Sequence, residues 1–166
     1  IVIGGAILGL LVFVMPPLYG EGHEVINHLK AVHPELSISS NIFGWNLENP
    51  WVVILLLGGL VLFKVVATSV TFGAGGVGGI FSPMLFMGGV MGNCFARIIN
   101  QIDILPYKLP LANFTLIGMT ALMTGVLHAP LTAIFLIAEV TGGYSLFVPA
   151  MVTAVVSFSI AKYFNK

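Results

Sequence analysis

The sequence predicts an all-α, polytopic membrane protein built from short and broken helices. Three observations carry that expectation. Of 166 residues, 58% are hydrophobic and 7% charged, whereas soluble domains carry about 25% charged residues. The mean hydropathy is +1.07, and a large buried core does not account for so wide a deficit of charge. The apolar stretches are also interrupted repeatedly by Gly and Pro. In a bilayer such breaks leave backbone groups unpaired unless protein or a water-filled cavity satisfies them, and discontinuous helices of this kind mark transporter binding sites.

Composition excludes several function classes. Formal net charge is zero and there is no basic run, so nucleic-acid binding has no electrostatic footprint. Cys94 is the single cysteine, which excludes an internal disulfide; in its apolar run it reads as a small packing residue. His23, His28 and His33 recur every five residues. A helix needs spacings of three or four to bring ligands to one face, so they read as part of a solvated loop, and no metal or cofactor is expected.

The elements follow in order. Ile1–Met15 is apolar but shorter than the roughly 20 residues of a full span, and Pro16-Pro17 ends it because proline cannot continue the backbone ladder. There is no initiator Met and no charged region ahead of this stretch. It therefore reads as a helix already under way, in a piece of a longer protein, and not as a signal peptide. Residues 16–49 form a polar connection with Glu21, Glu24, Glu35 and Glu48, inside which Glu21–Ala31 has the spacing of a short amphipathic helix.

Trp51–Val70 is long enough to span, with Trp45 and Trp51 as interfacial anchors and Lys64 as its only charge. A glycine turn follows over Phe72–Gly79, then a helix over Ile80–Ile99 and a polar turn over Asn100–Pro110. Leu111–Leu127 is apolar but short. Pro130 suits the first turn of a new helix, which Gly142-Gly143 ends, and Ser145–Phe164 resumes. Lys64 and Arg97 are expected near helix ends, snorkelling to the interface. Gly5-x-x-x-Gly9 and Gly88-x-x-x-Gly92 are expected to pack closely within the subunit. Lys162 and Lys166 at the end of the chain, against the acidic connection before Trp51, favour a cytoplasmic C-terminus.

The turn carries the chemistry. Gly73, Gly75, Gly76, Gly78 and Gly79 allow backbone angles and close approaches that other residues do not. Pro83 falls in the first turn of the helix that follows, where its missing N–H costs little. Free N–H groups near Ile80 and Phe81, at the positive end of a helix dipole, suit a small anion. Chloride fits, since neutral dipoles hold it without trapping it. The same glycines also suit a plain interhelical turn.

Gly79-Ile80-Phe81-Ser82-Pro83 resembles the GxFxP signature of the CLC chloride channel and proton–chloride antiporter family. Its approach, Phe72–Gly79, is similar to that family too. So are Gly118–Leu122 followed by His128–Thr132, Ile137–Thr141, the early Gly4–Gly9 helix and Tyr19–Gly22. One motif would be weak, but the ordered set covers nearly the whole chain. The resemblance implies the second half of an inverted-repeat CLC-type membrane domain, working as a homodimer with one pore per subunit, in a bilayer and most naturally the cell membrane. It implies anion contacts from the backbone amides of Ile80 and Phe81 within a turn made by Gly78, Gly79, Ser82 and Pro83. The family's serine motif, gating glutamate and pore tyrosine would lie outside this chain; Glu21, in Gly-Glu-Gly, does not match the gating motif. Channel and antiporter both remain open.

Glu139 is the acid most deeply set in apolar sequence. An ionisable residue within a membrane is a functional candidate, and Glu139 reads either as a structural acid or as part of a proton pathway, with the structural role preferred. His128 reads as a capping or packing residue at a helix start. Two other functions are alternatives: a different secondary transporter with a broken-helix anion site, and an intramembrane serine protease using Ser82 and His128. The second lacks the usual glycine after its nucleophile, so no catalytic residue is assigned.

Overall fold

The computed structural model describes residues 2–15, 18–19, 29, 49–103 and 105–165. Among them are six α-helices: α1 (Val2–Val14), α2 (Pro50–Gly73), α3 (Phe81–Ile102), α4 (Leu111–Leu127), α5 (Pro130–Thr141) and α6 (Phe147–Phe164). The regular structure of the described residues is all helical, as the sequence predicts. Of the connection over 16–49, only Leu18, Tyr19, Leu29 and Asn49 are described. The amphipathic helix expected over 21–31 and the His23, His28 and His33 loop lie outside the described residues, save that Leu29 is helical and buried.

Asn49 starts α2. Its backbone is extended and its side chain accepts the N–H of Trp51 at 3.1 Å, which satisfies one of the orphan donors of a helix start. Pro50 fills the first position, where a missing N–H costs nothing. The 24 residues of α2 extend about 36 Å, more than the roughly 30 Å of a bilayer core. By length and apolar character α2 and α6 can each cross a membrane, while α1, α4 and α5 are shorter.

The helices pack around α3 and α4, the most extensive helix pair. A Cβ on Gly88 would lie 2.6 Å from the Gly118 carbonyl oxygen and 2.9 Å from Met119 Cα. One on Gly92 would run into the Phe114 carbonyl, and one on Gly118 into the carbonyl of Gly88. The two backbones are therefore in direct contact, an approach only small residues permit. Gly88 and Gly92 pack as their spacing predicts. Gly5 and Gly9 do not: among the described residues a Cβ at either would meet nothing within 4 Å. Instead Gly4 sits against Ala74, where α1 crosses the end of α2.

One core joins these helices, with Leu57 and Leu60 from α2, Phe86 and Val90 from α3, Met119 and Met123 from α4 and Ile137 from α5. A smaller cluster of Ile134, Ala150 and Ala154 seats α6. Two asparagines tie separate segments together. Asn93 Nδ2 donates to Thr115 Oγ1 at 3.0 Å and to the Leu29 carbonyl at 3.3 Å, and its Oδ1 accepts from Arg97 Nε at 2.8 Å. Asn100 pins the α3–α4 connection through paired bonds with Leu109, 2.9 Å to its carbonyl and 2.7 Å from its N–H.

Two sequence expectations are corrected. Lys64 does not snorkel: it sits in the body of α2, only 4% exposed, with Nζ donating to the Leu18 carbonyl at 3.0 Å. Arg97 is turned onto Asn93 one helical turn earlier and is half-buried. In both cases a carbonyl or amide inside the protein supplies the acceptor that interfacial water would otherwise have provided. Boundaries shift as well. Phe72 and Gly73 belong to α2, Ile80 precedes α3, and α3 continues through Asn100 to Ile102.

Replacing Gly118 by Val should force α3 and α4 apart. The expected destabilisation is about 1–3 kcal/mol, read as a lower melting midpoint of the detergent-solubilised protein, whereas Gly9→Val should leave the midpoint unchanged.

Candidate anion site

The turn between α2 and α3 is made by two different devices. At its first end, α2 closes on itself. Ala74 caps the helix in a right-handed conformation, Gly75 takes φ +81, and the N–H groups of Gly75 and Gly76 return to the carbonyls of Phe72 (3.0 Å) and Thr71 (2.9 Å). This is a Schellman motif. Gly75 is needed for its left-handed angle. Gly76 is needed for space, because a Cβ there would lie 2.8 Å from the Thr71 carbonyl oxygen and from Thr71 Cγ2.

At the second end, α3 begins without a side-chain cap. Its N-cap is Ile80, and the first backbone bond across this start runs from Met84 N–H to the Ile80 carbonyl at 3.1 Å. The N–H groups of Ile80 and Phe81 precede that bond and have no carbonyl partner among the described residues, as the geometry of a helix start dictates. Pro83, third in the helix, removes one further donor from the set. Ile80 is 48% and Phe81 41% exposed, and the stretch from Gly75 to Phe81 is exposed throughout. Gly78 and Gly79 are uncrowded: a Cβ on Gly78 would meet nothing within 4 Å, and one on Gly79 only the Phe81 nitrogen at 4.0 Å.

What this arrangement offers is a helix dipole with its positive end facing outward and donors in excess of acceptors. Such an end stabilises a small anion through neutral groups. Gly78, Gly79, Ile80, Phe81, Ser82 and Pro83 are thus contiguous on one edge of the fold, the first four exposed and the last two partly buried.

The remaining sequence-derived positions lie elsewhere. Glu139 is exposed near the end of α5, whose main neighbours are α4 and α6. Its carbonyl accepts the N–H of Gly142 at 3.0 Å, while no bond from its carboxylate is found among the described residues. Its backbone thus helps to cap the end of the helix. His128 caps α4 with φ 55, its N–H returning to the Thr124 carbonyl. Its ring meets Phe158 edge-on at 6.0 Å and lies 3.4 Å from Asn165 Nδ2.

Sequence reasoning missed one neighbour of the turn. A cleft of about 270 Å³ lies between α1 and α2, lined by Lys64, Thr68, Thr71, Phe72, Tyr19 and Pro83 among others. Pro83 of the turn and the buried Lys64 thus border the same space.

The chain belongs to the voltage gated chloride channel family, whose family model matches residues 1–162. At the level of the family, that places it among chloride-transporting membrane proteins, a class that is not enzymatic. The match runs through all six helices and both ends of the turn.

The two halves of the turn should respond differently to substitution. Gly75→Ala should cost about 1–2 kcal/mol through its left-handed angle, and Gly76→Ala should crowd Thr71, so both should lower the melting midpoint. Gly78→Ala should melt like the parent protein.

Proposed function

We propose that this chain supplies one wall of a chloride pathway in a CLC-type channel or proton-coupled exchanger, with the anion held by the backbone N–H groups of Ile80 and Phe81. The observation that carries the reading is the uncapped, exposed start of α3 inside a chain of this family. Gly78 and Gly79 keep the approach clear of side chains, and Pro83 fixes the first turn without adding a donor. Because the contacts are backbone dipoles, conservative side-chain changes at Ile80 and Phe81 should shift affinity little, and no cofactor is required.

The same reading places the chain in the second half of an inverted-repeat membrane domain, as a multi-pass protein of the cell membrane. It also assigns the dimer contact to α5 and α6. Supporting this are the large apolar side chains these helices leave outward, among them Leu131, Phe135, Val148, Val152 and Val155. Glu139 stands away from the turn and is read as lying outside the anion pathway.

The test is chloride flux and proton flux recorded together from vesicles holding the full-length protein. Chloride flux is expected, with coupled proton movement for an exchanger and without it for a channel. Absence of chloride-dependent flux would favour a different secondary transporter. Ser82→Ala should retain flux, which removes a nucleophilic serine from consideration. Glu139→Gln should leave both the flux and any proton coupling at parent values.

A further inference from the structure

We infer that Lys64 is a positioning charge for the anion, setting affinity at the start of α3 through space and not by contact. The inference rests on the anion reading of Ile80 and Phe81 and names a residue outside that turn.

Three observations support it. Lys64 is 4% exposed in the body of a membrane-length helix, a costly place for a charge and one usually occupied for a reason. Its surroundings suit an ammonium: Nζ donates to the Leu18 carbonyl at 3.0 Å and lies 5.1 Å from the centre of the Phe86 ring. A carbonyl oxygen and an aromatic face both favour the cation. Its place in the fold then gives the distance. Phe86 comes five residues after Phe81 on α3, about 7.5 Å along the helix axis, and Pro83 borders the same cleft as Lys64. The ammonium therefore sits beside the first turns of α3, on the order of 10 Å from its leading N–H groups.

At that separation a unit positive charge that is itself buried attracts an anion appreciably. Bulk salt screens buried charges far less than exposed ones. The neutral amides supply the contact and the direction, and Lys64 raises the local potential without closing on the ion. An anion bound in this way is held more tightly than dipoles alone would hold it, and can still leave.

Chloride titration of the purified full-length protein by calorimetry tests this, using Lys64→Met, Lys64→Arg and Thr71→Lys. Lys64→Met should weaken chloride on the order of tenfold, and Lys64→Arg should remain within about twofold of the parent. Thr71 lines the same cleft nearer the end of α2, so Thr71→Lys adds charge on that face and should tighten chloride several-fold. The inference is overturned if Lys64→Met binds chloride like the parent, or if Lys64→Arg is weakened as much as Lys64→Met, since the residue is then a packing element. If Lys64→Met does not fold, Thr71→Lys decides: an unchanged affinity sinks the proposal. A parent protein that shows no chloride heat at all would defeat the anion reading itself, and this inference with it.

Discussion

The contact on which the rest of the structure depends is the meeting of α3 and α4 backbone to backbone. Gly88, Gly92 and Gly118 remove the side chains that would hold the two axes apart. In a bilayer the lipid is as apolar as leucine, so association draws on close packing and interhelical hydrogen bonds more than on exclusion of water. The glycine contact supplies the first, and Asn93 with Thr115 supplies the second on the same face. With α3 fixed against α4, its start at Phe81 is fixed as well. The direction of the uncapped end is thus decided some ten residues away, in the core.

The join between α2 and α3 is one glycine-rich run with two different geometries. Gly75 and Gly76 finish α2, one by its backbone angle and the other by its lack of bulk. Gly78 and Gly79 lie in open space before α3. A reading that treats all five glycines as one ligand loop merges a structural stop with an approach to a site.

Much of this was legible in the sequence. The charge deficit, the proline at each of two helix starts and the breaks at Gly142-Gly143 gave the helices to within a few residues. The ordered motifs around Gly79–Pro83 pointed to the family. What stayed hidden was tertiary. Lys64 read as an interfacial lysine because periodicity does not say which apolar residue faces a carbonyl from another segment. Its position, nine residues before Gly73, was the available hint, since a lysine side chain does not reach that far along a helix. Arg97 was misplaced for the same reason: its partner, Asn93, is a turn away on its own helix, but Asn93 is itself held inward by Thr115 of α4 and by the carbonyl of Leu29. Glu139, set in apolar sequence, is exposed near the end of α5, a placement that periodicity alone did not give.

The uncapped start of α3 has a thermodynamic consequence. Natural helices usually place Ser, Thr, Asp or Asn at this post, and losing such a group costs about 1 kcal/mol. Here an isoleucine holds it. Whatever acceptor settles there acts as the missing capping residue, so occupancy and helical order in the first turn are linked. Each raises the other by the same free energy. An anion at that post would therefore be reported by the backbone itself, as slower exchange of the first-turn amides with solvent.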